Sequence, residues 1–204
     1  TSGDFDADGS PDLAVANQNT NDVRVLLGNG DGTFQTAVGY AAGNRPSSIA
    51  AGDFNGDGKT DLAVGSRSGA SLLLGSGDGT FQAAVNYASG LRLNSLTVGD
   101  FNGDGKIDLV AVIDSNLSVL LNNGDGTFGA VINTAAGGSP SSLSTGDFNR
   151  DGKTDVAAVI FTGVNILLGN GNGMFQTQVN YAAGQAPFAA AVSDFNSDGK
   201  LDLA

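Results

Sequence analysis

Residues 53–61 read DFNGDGKTD. The same nonapeptide returns as DFDADGSPD at 4–12, DFNGDGKID at 100–108, DFNRDGKTD at 147–155 and DFNSDGKLD at 194–202. Successive copies start 49, 47, 47 and 47 residues apart. A second motif keeps the same step: NGDGTF at 29–34, SGDGTF at 76–81, NGDGTF at 123–128 and NGNGMF at 170–175. Two motifs locked to one period define a tandem structural unit. The units run 4–52, 53–99, 100–146 and 147–193, with a partial fifth at 194–204. Residues 1–204 are expected to form a single domain or part of a larger one.

One unit reads as four short strands. SSIAAGDF (47–54) leads into the acidic nonapeptide and DLAVGS (61–66) leaves it. RSGA (67–70) is a plausible turn before SLLLG (71–75), and SGDG (76–79) is a Gly-rich hairpin turn before TFQAAVNYA (80–88). These runs are rich in β-branched and aromatic residues and are bounded by Gly, Asn, Asp and Ser. No window holds the 3.6-residue period of a helix. Four antiparallel strands in about 47 residues match one propeller blade. The expected fold is therefore all-β: a β-propeller of four-stranded antiparallel blades, four of them plus a partial fifth. The central strands DLAV, DLVAV and DVAAVI are apolar on both faces, as sheets stacked face to face require. The outermost strand keeps polar Gln and Asn, as an edge strand does.

The chain has 21 acidic residues, all Asp, against nine basic ones, for a net charge of −12. That balance argues against binding a phosphate backbone, so no nucleic-acid partner is expected. No apolar run approaches the roughly 18–20 residues of a membrane-spanning helix. Sixteen of the 21 Asp lie in the five nonapeptides, so the charge is concentrated and repels itself unless neutralised. Five divalent cations would leave about −2. The absence of Cys and His makes zinc, copper and iron poor candidates.

Asp53, Asn55, Asp57, Lys59 and Asp61 stand at positions 1, 3, 5, 7 and 9 of the loop. Alternate residues of a tight loop can converge on one centre, and Ca²⁺ takes six to eight oxygens at roughly 2.3–2.6 Å. Carboxylates at 1, 5 and 9 and the side-chain oxygen at 3 supply four donors. Position 7 would give its backbone carbonyl, leaving the lysine side chain outside. Gly58 at position 6 allows the sharp turn. The equivalent sets are Asp4, Asp6, Asp8, Ser10 and Asp12; Asp100, Asn102, Asp104, Lys106 and Asp108; Asp147, Asn149, Asp151, Lys153 and Asp155; and Asp194, Asn196, Asp198, Lys200 and Asp202. Up to five structural Ca²⁺ ions are expected. An EF-hand is excluded, since it needs a bidentate Glu at position 12, where Val64 stands, and flanking helices.

The D-F-N-x-D-G-K-x-D-L pattern resembles the FG-GAP/VCBS repeat, known from the integrin α-subunit propeller and from secreted bacterial proteins, and the resemblance covers essentially the whole chain. It implies a calcium loop joining the first two strands of each blade, with ligand surfaces on other faces. The Gly-Ala-Pro of the integrin motif is missing, which brings the chain nearer the bacterial VCBS type. Asp6 in place of the usual Asn adds charge, and Pro11 sits beside that loop. Some propellers of this family bind sugars between blades.

The second motif has too few carboxylates for calcium and no following helix to receive a phosphate, so it reads as a hairpin turn. Its Phe (Phe34, Phe81, Phe128, Phe175) reads as a packing anchor. With no His, Cys or Glu, the usual nucleophile–base pairs cannot be built, and no enzyme activity is expected. Tyr40, Tyr87 and Tyr181 are the only aromatic platforms of a lectin type and read first as outer-strand packing. Arg45 and Arg92 stand in otherwise uncharged inter-blade loops, where display of binding residues is natural. Asn116-Leu117-Ser118 is a glycosylation sequon. The expectation is an extracellular, calcium-stabilised binding, adhesion or assembly module with a protein or glycan partner. A lectin-type propeller and a non-catalytic accessory domain of a larger secreted enzyme are the alternatives. Because loops 4–12 and 194–202 compete for one place in a closed four-blade ring, either continuation in a longer chain or head-to-tail assembly is expected.

Overall fold

The computed structural model describes residues 1–88 and 90–204. The described residues form β-strands, turns and bends, with no helix. Four sheets of four antiparallel strands follow one another. The first holds β1 (Ser2–Gly3), β2 (Asp12–Asn17), β3 (Asp22–Leu26) and β4 (Val38–Ala41). The second holds β5 (Ser48–Gly52), β6 (Asp61–Ser66), β7 (Gly69–Leu73) and β8 (Val85–Tyr87). The third holds β9 (Leu93–Gly99), β10 (Asp108–Ile113), β11 (Asn116–Leu120) and β12 (Ile132–Ala135). The fourth holds β13 (Ser142–Gly146), β14 (Asp155–Ile160), β15 (Gly163–Leu167) and β16 (Val179–Tyr181). β17 (Val192–Ser193) and β18 (Asp202–Leu203) pair as a small fifth sheet. Strand order within each sheet is sequential, so every connection is to the neighbouring strand.

The second strand of the second, third and fourth sheets is where the expectation from hydropathy holds to the residue, whereas β2 is only partly buried, with Val15 exposed. β6, β10 and β14 are buried at all six positions. An apolar strand with no polar face is stable only when both faces are covered. The outer strands β8 and β16 are short and largely exposed. Their Asn is not merely an edge residue. Ser71 donates to Asn86 at 2.7 Å, Ser118 to Asn133 at 2.6 Å, and Asn180 to Asn165 at 2.8 Å. Each pair satisfies a polar group buried on the third strand, where an unmet partner costs about 1–3 kcal/mol. The first unit has Arg24 opposite Gly39 instead, and Arg24 turns to Asp22 at 2.8 Å.

Two expected boundaries are corrected. Gly69 and Ala70 belong to β7, paired with Ser66 and Gly65, so the turn is Arg67–Ser68 rather than RSGA. The fourth strand does not run over 80–88. Phe81 makes an isolated bridge to Gly75, the chain leaves the ladder, and β8 spans only Val85–Tyr87.

The chain divides into two compact units, Thr1–Asn94 with Asn122–Phe128, and Ser95–Leu121 with Gly129–Ala204. The core of the first gathers Phe5, Val23, Val25, Leu62, Val64, Leu73 and Phe81. The core of the second gathers Phe101, Val110, Val112, Leu117, Val119, Val156, Leu167 and Phe175.

In both units one device joins successive sheets. The N–H of Gly79, at the tip of the second motif, donates to the Phe5 carbonyl of the preceding acidic loop at 2.9 Å. Gly126 does the same to Phe54 at 3.1 Å, and Gly173 to Phe101 at 2.9 Å. The motif's Phe then meets the loop's Phe. Ring centroids lie 5.6 Å apart for Phe5–Phe81, 6.1 Å for Phe54–Phe128 and 5.7 Å for Phe101–Phe175. Gly79 has φ +80°, a conformation that favours glycine, and a Cβ there would press on the end of the Leu27 side chain at 2.6 Å. The recurrent Phe is thus a packing anchor at 81, 128 and 175, while Phe34 is exposed. In the fourth sheet the corresponding apolar seat, with Phe148, Ile166, Val179 and Tyr181, is an open cavity of 440 Å³.

Candidate metal centre

Each acidic loop joins the first strand of a unit to the second, as β5 is joined to β6 by residues 53–60. The loop is built by its own side chains. In the second unit Asp53 accepts the N–H groups of Gly56 at 2.7 Å, Asp57 at 3.2 Å and Gly58 at 2.8 Å. Asn55 Oδ1 accepts Asp57 N–H at 3.0 Å, and Asp57 Oδ1 accepts Lys59 N–H at 3.0 Å. Asp100, Asn102 and Asp104 repeat these bonds. Asp147, Asn149 and Asp151 in the fourth loop, and Asp194, Asn196 and Asp198 in the fifth, repeat the bonds to the N–H groups at positions 5, 6 and 7. The first loop is looser: Asp4 accepts Gly9 N–H, Asp6 accepts Asp8 N–H, and Asp8 accepts Ser10 N–H. A side-chain oxygen accepting the N–H two residues on is an Asx turn, and two in series, three in the third loop, coil the loop inward.

Position 4 carries a constraint that sequence reasoning missed. Ala7, Arg150 and Ser197 all have φ near +61°, and Gly56 and Gly103 share that region. The left-handed conformation costs an L-residue about 1–2 kcal/mol. Glycine at two of the five copies was the only signal.

Position 9 departs most from a simple ligand. Asp12, Asp61, Asp108 and Asp155 are fully buried. Asp61 Oδ2 accepts Phe54 N–H at 2.9 Å, and Oδ1 accepts Gly75 N–H at 2.7 Å. Asp12 holds Phe5 and Gly28, and Asp155 holds Phe148 and Gly169, in the same way. This carboxylate clamps the acidic loop to the start of the second motif, which is the physical reason the two motifs keep step. A Cβ at Gly75 would sit 2.2 Å from the Thr60 carbonyl, so glycine suits that position in the second unit, whereas the third unit places Asn122 there. Each carboxylate oxygen has two lone pairs, so a clamping Asp retains donor capacity for a cation.

The electrostatics show what the loops lack. Burial, with the charges of Asp57 and Asp53 behind it, pushes the Asp61 carboxyl up against the lowering effect of its two N–H donors. Asp155 is raised by burial and by Asp151 and Asp147 in the same manner. In the first loop, oxygens of Asp4, Asp6 and Asp8 lie within 4.8 Å of one another, and Asp6 is raised by desolvation and by Asp8, Asp12 and Asp4. The lysines at position 7 do not point away from the loop. Lys59, Lys106, Lys153 and Lys200 reach the position 5 carboxylates at 3.8, 3.3, 3.6 and 3.0 Å. These are exposed pairs of small worth. One ammonium for three carboxylates leaves two charges over.

The second motif is a hairpin turn. Asp78 Oδ1 accepts the N–H and hydroxyl of Thr80 at 3.0 and 2.6 Å, and the strands close through Ser76 N–H to Thr80 C=O at 2.9 Å. Asp31 and Asp125 build the same turn, and Asn172 serves in the last copy. Tyr40 and Tyr87 pack edge-on against Phe81 and Phe128 at 5.5 and 5.1 Å, and the Tyr87 hydroxyl donates to Gly126 C=O. Tyr181 is 59% exposed. The Asn116 sequon lies inside β11, where Leu117 and Ser118 are fully buried, a poor setting for glycan attachment.

The family model described as FG-GAP-like repeat matches residues 4–64, 53–111, 100–158 and 151–204. The chain belongs to the FG-GAP-like repeat family. Solved structures agree on the fold. An Agrocybe aegerita lectin, described for specific recognition of non-reducing terminal N-acetylglucosamine, is 24% identical with a TM-score of 0.69, over 99% of this FG-GAP chain and 58% of its own. The Vibrio cholerae biofilm matrix protein Bap1 is 19% identical with a TM-score of 0.60, over 94% of this chain and 30% of its own. The Photorhabdus luminescens Tc holotoxin pore is 18% identical with a TM-score of 0.55, over all of this chain and 10% of its own. The FG-GAP chain thus spans well under two thirds of these proteins, and at such identities the likeness shows the propeller fold alone. No curated protein sequence matches it significantly. Among the described residues no helix is long and apolar enough to cross a membrane.

Proposed function

We propose that this FG-GAP chain is a calcium-stabilised propeller module of a secreted or cell-surface protein, and that it works by binding or adhesion rather than catalysis. The observation that carries the reading is the acidic loop repeated five times. It has oxygens at alternate positions, its backbone is coiled by its own Asx turns, and its negative charge exceeds what its lysine can offset. The residues fit a hard cation. Carboxylates at positions 1 and 5, the side-chain oxygen at 3 and the carbonyl at 7 would hold it, with position 9 bracing the loop from behind. Calcium supplies charge neutralisation and a cross-link between the ends of two strands, so its binding free energy becomes folding free energy. Extracellular calcium modules bind at about 10⁻⁴–10⁻³ M, which favours a secreted setting. The loop's D-F-N-x-D-G-K-x-D-L form favours the bacterial VCBS type.

A lectin-type role is the second reading, favoured by the likeness to the Agrocybe aegerita lectin. Tyr40 and Tyr87 are committed to packing, so a sugar platform would have to be built from other groups. The test is an array of glycans and matrix proteins probed with the chain in millimolar calcium and in EDTA. Retention of at least one class in calcium and its loss in EDTA is expected. No retention of either class in calcium contradicts the proposal.

A further inference from the structure

The nine basic residues of the chain are unevenly used. All four lysines sit at position 7 of acidic loops, Arg24 pairs with Asp22, and Arg150 reaches the Gly199 carbonyl. The other three, Arg45, Arg67 and Arg92, line one cavity of 90 Å³ in the first compact unit, together with Gln18, Ser47 and Asn94. Among the described residues, none of the three guanidinium groups is in an ion pair. The charge of Arg45, then that of Arg92, lowers the pKa of Arg67, the mark of like charges held near one another. A chain with a net charge of −12 thus leaves three positive charges together without a counter-charge.

The fold does not demand this. Counted from the start of each nonapeptide, the turn position held by Arg67 reads Gln18, Arg67, Asp114 and Phe161. Counted from the start of the second motif, the inter-sheet loop position reads Arg45, Arg92, Ser139 and Ala186. The metal loop and the hairpin recur nearly unchanged, whereas these two positions vary freely. The backbone beneath the arginines is braced. Arg67 N–H donates to Asn44 C=O at 2.9 Å, Asn44 N–H to Ser68 Oγ at 2.9 Å, and Arg45 N–H to Asn21 Oδ1 at 2.8 Å. Arg92 Nε donates to Asn94 Oδ1 at 3.1 Å. The three arginines lie on the β4–β5, β6–β7 and β8–β9 connections, at the strand ends opposite those that the acidic loops join.

We propose that Arg45, Arg67 and Arg92 form a binding site for an acidic sugar, with its carboxylate or sulfate held among the guanidinium groups. Guanidinium forks match both oxyanions bidentately. Gln18, Ser47 and Asn94 offer neutral donors and acceptors of the kind that sugar hydroxyls need. The cavity admits one charged group rather than a run of them, and the surrounding negative charge disfavours an extended polyphosphate. The site deepens the binding-module reading by naming a ligand class, and it rests on that reading.

The test is calorimetric titration of the full chain in millimolar calcium with glucuronate, glucose 6-sulfate, glucose and a tri-aspartate peptide. Binding of glucuronate or glucose 6-sulfate, with none of glucose, is expected, and whichever binds names the anion. Arg67→Gln should weaken that binding at least about tenfold without moving the melting temperature, since a bidentate charged pair is lost. Arg24→Gln should leave it unchanged. Four outcomes overturn the site: equal binding of glucose and glucuronate, undiminished binding by Arg67→Gln, binding of tri-aspartate alone, or no binding. If the array still shows a calcium-dependent ligand, only this site falls; if the array is also blank, the binding-module reading falls with it.

Discussion

Asp61 separates a clamp from a ligand, and the two roles predict different results without metal. Its carboxylate is fully buried and accepts Phe54 N–H at 2.9 Å and Gly75 N–H at 2.7 Å. Asp61→Asn keeps one acceptor and turns an NH₂ group toward a backbone donor, which leaves one buried N–H unmet. That costs about 1–3 kcal/mol, and Asp61→Ala, which strands both donors, about 2–6 kcal/mol. Relief of the buried charge, which already raises the carboxyl's pKa, offsets part of this and places both changes toward the lower ends. The assay is urea unfolding in excess EDTA, with stability extrapolated linearly to zero denaturant. A graded loss, Ala greater than Asn, is expected before any calcium is added. If both variants match the parent within about 0.5 kcal/mol in EDTA, the carboxylate serves only a metal and the clamp argument is refuted.

Three further outcomes follow from the same geometry. Phe128→Ala removes a ring packed on both Tyr87 and Phe54 and should cost about 3–5 kcal/mol in a chemical melt, whereas Phe34→Ala, at a 41% exposed ring, should cost under about 1 kcal/mol. Gly58→Ala forces a side chain into φ +78° and should cost about 1–2 kcal/mol by the same measurement, in EDTA as in calcium. The Thr20 hydroxyl, and Arg24 after it, hold the Asp22 carboxyl below its ordinary value of 3.8. Its contribution is therefore present above that value and lost as pH falls through the lower folded value. Asp22→Asn should flatten the acid limb of the stability–pH curve and leave the neutral region's slope unchanged.

What the sequence made legible was local. The period of 47 marked the units, and β6 was expected at 61–66 and found there, because an apolar run bounded by Asp and Ser has one way to be buried on both faces. The loop residues at positions 1, 3 and 5 come together because each acts on a backbone N–H a few residues away. Interactions across a repeat were not legible. The Gly79–Phe5, Gly126–Phe54 and Gly173–Phe101 latches join residues more than 70 apart, and no periodicity within a unit points to them. The fourth strand was misjudged because Phe81 makes only an isolated bridge to Gly75, with Gln82 N–H on the Leu74 carbonyl, before the ladder resumes at Val85. β7 starts two residues early because Gly69, at φ +130°, lets the ladder continue where a Cβ would meet the Tyr87 carbonyl at 2.6 Å. The role of Asp61 was half legible, since an acid at the end of an acidic loop reads as a ligand and gives no sign of the Phe54 and Gly75 N–H groups that it also clamps. The cluster of Arg67 with Arg45 and Arg92 was missed in part, because Arg67 lay in what looked like an ordinary turn.

The central claim is that the five acidic loops are structural calcium sites. A thermal melt of the chain in excess EDTA, repeated in millimolar calcium and in millimolar magnesium, tests it most directly. At about 1 mM calcium and a dissociation constant of about 10⁻⁴–10⁻³ M each site adds about 0.4–1.4 kcal/mol, so five together add about 2–7 kcal/mol and should raise the melting temperature by at least about 5 °C in calcium and far less in magnesium. A melting temperature unmoved by calcium, or moved equally by magnesium, would contradict it.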